Sequence, residues 1–192
     1  MITFDRDSHT YTNESGVRIP SVTQILGWLY PEKYANVPQM ILNDAADFGN
    51  KIHEWVEEYA MTGKKKRADA YTKLSTTQAV ELICLHDFHA ERCEQIISYQ
   101  NHYAGMFDMY GTMEGIPTLI DIKTTAQMDQ AYLEWQLGMY KVALEEEGIP
   151  VDQTYCFWLP RGSLAKMIRI EPRSRDDIDW LMYRYETEHY SN

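Results

Sequence analysis

The sequence predicts an α/β fold, a central mixed β-sheet flanked by helices, and three observations carry that expectation. Three strand-like segments, 93–99, 103–110 and 116–124, follow one another with only short connections, which suits an antiparallel meander. A leucine-striped helix over 129–147 comes next, then two more strands, 153–159 and 165–171, and a final helix over 174–189. The 192 residues suffice for one domain with a sizeable core, and no composition break divides them, so residues 1–192 are read as a single domain.

The elements follow in order from local chemistry. Residues 2–12 read as a hairpin turning at Asp5, Arg6 and Asp7, with Asn13–Gly16 as the loop after it. Ser21 is the N-cap expected for a short helix, VTQILGWLY, which Pro31 stops. A longer helix is expected from about Ile41 to Met61, its apolar positions Ala45, Phe48, Ile52, Trp55 and Tyr59 recurring at three- and four-residue steps. Gly63 ends it, and Lys64–Arg67 follow as a solvated loop, with phosphate contact by Lys64–Lys66 as the lesser alternative. Another helix is expected over about Thr76–His89. Side-chain alternation then puts Glu94, Ile96 and Ser98 on one face of their strand, as it does Ala104, Met106 and Asp108, and Leu119, Asp121 and Lys123. With suitable pairing the three carboxylates land on one side of the sheet. Helix 129–147 starts near Asp129, carries Leu133, Leu137 and Leu144 as its core stripe, and ends at Gly148-Ile149-Pro150.

Composition narrows the function classes. No apolar run approaches membrane-spanning length, and the N-terminal MITFDRDSHT lacks signal-peptide architecture, so a cytoplasmic protein with no membrane partner is expected. Cys84, Cys93 and Cys156 are odd in number, have no metal-like spacing, and suit a reducing compartment. The net charge of −11 argues against tight nucleic-acid binding, because phosphate backbones favour basic surfaces. Against that, basic residues cluster at Lys64, Lys65, Lys66 and Arg67, and at Arg161, Lys166 and Arg169.

The chemistry concentrates between Tyr103 and Tyr140. Asp121 and Lys123 point the same way from an apolar strand, TLIDIKTT, while Ile120 and Ile122 point to the opposite layer. Two charges inside such a run are costly unless something requires them. A hard divalent cation facing a phosphate is one such requirement. Asp108 closes the preceding strand, and Gln136 and Tyr140 share a helix face one turn apart.

This ordered set, Asp108, Asp121-Ile122-Lys123 and Gln136-xxx-Tyr140, resembles the PD-(D/E)XK nuclease superfamily, in particular its RecB-like exonuclease branch. Upstream, Gly49-Asn50-Lys51-Ile52-His53 is similar to the helical Gly-xxx-His motif of that branch, and Glu94 lies where these nucleases often carry a further acidic residue. The resemblance spans roughly residues 49–140. It implies a restriction-endonuclease-like core and one or two Mg²⁺ or Mn²⁺ ions held by Asp108, Asp121 and the Ile122 carbonyl, with His53 as an imidazole ligand. An imidazole would favour Mn²⁺, since nitrogen suits the softer ion. Some RecB-like nucleases hold an iron–sulfur cluster on four cysteines; three scattered cysteines cannot supply that set, so no cluster is expected.

Residue by residue, alternatives stay open. Lys123 is expected to orient the attacking water and offset phosphate charge. Adjacent carboxylates favour its charged form, and from a reference pKa near 10.4 only about 1 in 2,000 such lysines is neutral at pH 7. Gln136 and Tyr140 border the centre in the resembling family; Tyr140 is equally at home as core packing. His53 is either a ligand or a structural helical histidine. Glu94 either completes the acidic shell or starts a strand near solvent, with Glu91 competing for the role. Glu57 and Glu58 read as a solvated face. Gly49 is expected to let its helix approach the sheet closely.

The expectation is therefore a Mg²⁺/Mn²⁺-dependent DNA exonuclease that leaves 5′-phosphates, of the compact type found in phage or mobile-element recombination. Linear DNA ends are its expected partner, with a single-strand annealing or other recombination protein, or further copies of the chain, alongside. The competitors are a structure-specific endonuclease of the same fold, a catalytically silent nucleic-acid or protein adaptor, and a purely protein-binding module.

Overall fold

Ser21 starts the first helix by a reciprocal cap: its Oγ accepts from the Gln24 N–H at 3.0 Å, and its own N–H donates to Gln24 Oε1 at 2.9 Å. In the computed structural model, which describes residues 2–6, 8–33 and 35–190, this helix is α1, Val22–Leu29. It follows a small antiparallel sheet of β1 (Thr3–Asp5), β2 (Thr10–Thr12) and β3 (Arg18–Ile19). The hairpin was expected and the third strand was not; Asp7, assigned to the turn, lies outside the described residues.

Helix α2 runs Gln39–Thr62 and ends at Gly63, whose φ of 68° is the left-handed conformation that terminates helices without steric cost. Its buried stripe is Phe48, Ile52 and Val56, at steps of four. Ala45, expected in that stripe, is exposed, and Trp55 and Tyr59 are half-buried at its edge. The α3 helix spans Lys73–Leu85, shorter than expected at its C-terminal end. Asp87 takes a φ of 47° and turns the chain, so Phe88 and His89 open a strand instead of closing a helix.

The main sheet has the order β4-β5-β6-β7-β8. Strands β4 (Phe88–Tyr99), β5 (Tyr103–Met113) and β6 (Ile116–Lys123) form the antiparallel meander. Helix α4 (Gln130–Glu146), N-capped by Asp129, then carries the chain to β7 (Gln153–Trp158), which pairs parallel to β6. Strand β8 (Lys166–Arg169) returns antiparallel, and α5 (Arg175–Tyr190) follows. The sheet is thus mixed and covered on both faces. One layer packs α1, α4 and α5 through Leu26, Leu137, Leu144 and Leu181; the other packs α2 and α3 through Phe48, Ile52 and Ile83. Burial of these fully apolar faces is the main driving force, at about 25 cal/mol per Å² removed from water. Among the described residues no helix is long and apolar enough to cross a membrane.

One irregularity positions everything that follows. In a regular strand Phe107 and Met109 would share a face, yet Phe107 packs with Leu119 and Leu137 while Met109 packs with Ile120 and Phe157 in the opposite layer. The neighbouring strand changes sides at the same level, Ile97 lying in the first layer and Cys93 against the second. Between them Glu94 holds a φ of 47°, rare for a residue with a side chain. Both strands therefore invert their alternation around Glu94 and Asp108.

Candidate metal centre

Asp108 occupies this inversion, and its neighbours explain how three layers of the fold meet there. The β5–β6 register ends at Met109↔Ile120, one residue before Asp108 and Asp121 would pair. The Asp108 carboxylate then does what a backbone carbonyl would otherwise do: its Oδ2 accepts the Ile122 N–H at 2.6 Å. Simple alternation along a continuous ladder, as expected from the sequence, is thus not what assembles the carboxylates. The Ile122 N–H is thus engaged by Asp108.

From the α2 side, His53 Nδ1 lies 3.4 Å from Asp108 Oδ1 and 3.6 Å from Glu57 Oε1. Gly49, one turn before His53, makes this approach possible, because a Cβ there would stand 3.2 Å from Thr124 Oγ1 at the end of β6. Ligand atoms of His53, Glu57 and Asp108 all lie within 4.8 Å of one another, so these three residues can hold a metal ion. Glu57 corrects the expectation of a solvated face, being only 4% exposed. Its signal was in the sequence: position 57 is one turn beyond His53, on the same helix face.

From β6, Asp121 is 1% exposed. Lys123 Nζ donates to its Oδ1 at 2.9 Å and stands 2.7 Å from Oδ2, too poorly aligned for a second hydrogen bond. Asp121 therefore adjoins the triad with Lys123 as its counter-ion; it is not one of the three tightly grouped ligands. From α4, Gln136 Nε2 meets the Tyr140 hydroxyl at 3.4 Å. Both are buried, and Tyr140 fills the space left by Gly105, where a Cβ would lie 2.7 Å from the Tyr140 ring. Tyr140 is core packing and site neighbour at once. Glu94 is exposed and lines the same cleft of 680 Å³ as His53, Arg6 and Thr124, whereas Glu91 lies by Tyr110.

The electrostatics follow from burying three carboxylates with two cations. Burial opposes charge on His53, but Asp108 and Glu57 outweigh it and push the imidazole up to about 10. Burial raises Asp108 as well, yet His53, Lys123 and the Ile122 N–H together hold it below its usual value. Burial dominates for Glu57, pushed up to about 7 against the pull of His53, and for Asp121, pushed up to about 6 against Lys123. Asp108 adds to both shifts by like-charge repulsion. Lys123 rises above its ordinary range because Asp121 and Asp108 overcome its burial. It is a fixed positive charge. Burial also raises the Tyr140 phenol, so it stays neutral and able to donate.

Whether these groups suit a cation is tested by what they leave unpaired. Gln136 Oε1 is a buried oxygen with no hydrogen-bond partner, Glu57 Oε1 has only the His53 ring at 3.6 Å, and Asp121 Oδ2 has only the Lys123 ammonium at 2.7 Å, none of them a well-formed hydrogen bond. Such orphans are rare in proteins and costly, about 1–3 kcal/mol each. Carboxylate oxygens of Glu57 and Asp108 grouped with the His53 imidazole are the donor set of a hard or borderline divalent ion. The residues fit one.

The basic clusters serve differently. Arg161 donates to Asp44 at 2.7 Å and covers the rings of Phe48 and Tyr71, a structural role. Cys84 is exposed, Cys93 half-buried and Cys156 buried, and all three are free thiols.

No family model matches the sequence, and no curated protein does. Among solved structures, the crystal structure of SSO0001 is similar at 13% identity and a TM-score of 0.45, covering 87% of this chain and 75% of that one. A likeness of that degree carries no conclusion about activity.

Proposed function

We propose that the chain is a metal-dependent deoxyribonuclease with a restriction-endonuclease-like core, an exonuclease that hydrolyses phosphodiester bonds and leaves 5′-phosphates. The observation that supports it most is the buried His53–Glu57–Asp108 triad with unpaired oxygens, set directly against the Asp121–Lys123 pair.

His53, Glu57 and Asp108, with Asp121 beside them, would hold Mg²⁺ or Mn²⁺. Bound there, the cation supplies Lewis-acid polarisation of the phosphate and neutralises charge developing on it. The chain's own groups do the rest. Asp108, by gripping the Ile122 N–H, fixes the backbone between Asp121 and Lys123. Lys123, held charged, orients the attacking water and offsets charge on the non-bridging phosphate oxygens. It does not abstract the proton, for which its pKa lies on the wrong side. Gln136 and Tyr140 present an amide and a neutral hydroxyl from the facing helix, donors for a phosphate or a water. Water oxygen joins phosphorus, the 3′ oxygen leaves with a proton, and the 5′-phosphate stays on the product.

The test uses end-labelled linear DNA and closed circular DNA with Mg²⁺, Mn²⁺ or EDTA, beside Asp121→Ala. Loss of linear DNA alone, abolished by EDTA and by the substitution, is the expected result. Cutting of the circle would identify an endonuclease. Activity surviving Asp121→Ala would place the chemistry elsewhere.

A further inference from the structure

The site cleft does not end at His53. Glu54, on its rim, also lines a recess of 180 Å³, and that recess shares Trp55, Lys66, Arg67 and Ala68 with a groove of 530 Å³ between α2, the Lys64–Arg67 loop and the start of α3. The groove's cations are Lys65, Lys66, Arg67 and Lys73. Lys66 is engaged with Glu54 and Glu58 and offsets one of their two negative charges; with Asp69 in the adjoining recess, the acids are still outnumbered by Lys65, Lys66, Arg67 and Lys73. Among the described residues no carboxylate lies within ion-pair distance of Lys65, Arg67 or Lys73. In a chain of net charge −11, three neighbouring cations left without counter-ions on one concave surface are a local reversal of sign. The wall they face carries an aromatic ring: Trp55 stacks on Tyr59 at 5.8 Å and is pinned to the loop by its Nε1–H donating to the Lys66 carbonyl at 3.2 Å.

We propose that this groove is a track for a single-stranded nucleic-acid segment, its phosphates on Lys65, Arg67 and Lys73 and a base against Trp55, leading along α2 to His53. The proposal rests on the nuclease reading for the direction of the track, but binding to it needs no turnover. Isolated cations with a fixed aromatic wall are the combination that holds single strands irrespective of sequence. A peptide of acidic residues would use the charges and leave the indole idle. The Lys64–Arg67 loop is solvated, as expected, and its Lys65, Lys66 and Arg67 line one groove.

The full chain is titrated in EDTA with a fluorescein-labelled oligo-dT of about 15 nucleotides over a range of salt. Lys65→Ala/Arg67→Ala/Lys73→Ala should lower affinity by a factor on the order of a hundred at about 50 mM salt and flatten the log–log salt slope by about 2. The control Arg18→Ala/Lys166→Ala/Arg169→Ala, exposed cations away from the groove, should change neither appreciably. Trp55→Leu should cost about tenfold with the slope kept. With Mn²⁺, hydrolysis of bis(4-nitrophenyl) phosphate should be the same in the groove variant as in the parent. If the parent fails to cleave that diester while the binding contrast persists, the nuclease reading falls and the track stands. Equal losses in both triple variants, no loss in either, or poly-glutamate displacing the oligonucleotide as well as oligo-dT does, would overturn the track.

Discussion

Glu57→Gln separates the cost of the centre from its use. The Glu57 carboxyl, 4% exposed, ionises at about 7 instead of 4.5. At about 1.36 kcal/mol per unit, keeping it charged in the metal-free protein costs about 3 kcal/mol. An acid with a raised folded-state pKa binds more protons folded than unfolded, so this cost is absent below about pH 4.5, grows as pH rises, and is complete above about pH 7. Glutamine removes it. Glutamine also withdraws a charge that supports the His53 imidazolium, taking back about 1 kcal/mol. The variant should therefore match the parent near pH 4.5 and exceed it by about 2 kcal/mol near pH 8, which for a chain of this size is a rise of about 4–8 °C in Tm. In Mn²⁺ the order should reverse, because the parent gains the binding free energy and the variant loses a charged ligand. Differential scanning calorimetry at several pH values, with EDTA or Mn²⁺, measures both. A variant less stable than the parent at every pH, or stabilised equally by Mn²⁺, would refute the assignment of Glu57 as a buried ligand.

Other outcomes follow from the same geometry. Asp108→Asn should reduce DNA hydrolysis about a thousandfold or more, since several kcal/mol of charge stabilisation are withdrawn at about 1.4 kcal/mol per tenfold; single-turnover rates read it. Lys123→Gln leaves Asp121 buried without its counter-ion, so urea denaturation should show a loss of about 3–5 kcal/mol at pH 8 that shrinks at pH 5, where Asp121 can take a proton. Gly105→Ala places a Cβ 2.7 Å from the Tyr140 ring and 3.0 Å from Val22, and should cost about 1–3 kcal/mol in the same assay. Affinity for Mn²⁺, measured by calorimetry, should rise most steeply below about pH 7, where the bound ion displaces protons from both His53 and Glu57, and go on rising toward about pH 10, where only His53 still gives one up.

Much of this architecture was legible because it rests on local rules. The Ser21 cap, the Gly63 terminus, the Leu133–Leu137–Leu144 stripe and the closely spaced meander each follow from a few residues. What escaped was tertiary in origin. HAERCE shows no clean alternation, so Phe88 and His89 were read into the preceding helix and residues 90–92 into no element, whereas Asp87 turns the chain and all five open β4. The inversion at Glu94 and Asp108 has no periodic signature at all, yet it decides which carboxylates meet. Asp108 meets His53 and the Ile122 N–H between Asp121 and Lys123, by a bond that replaces a ladder hydrogen bond, while Gln136 is in contact with Tyr140. Glu57 was missed because a glutamate on a charged helix is usually solvated; only the packing of α2 onto the sheet buries it.

Diffraction from manganese-soaked crystals, recorded at the metal's absorption edge, tests the centre most directly. A single strong anomalous peak about 2.2 Å from oxygens of Asp108 and Glu57 and from a ring nitrogen of His53, with Asp121 turned toward it from Lys123, is the predicted result. Manganese found only on surface carboxylates, with His53 still bridging Glu57 and Asp108, would contradict it.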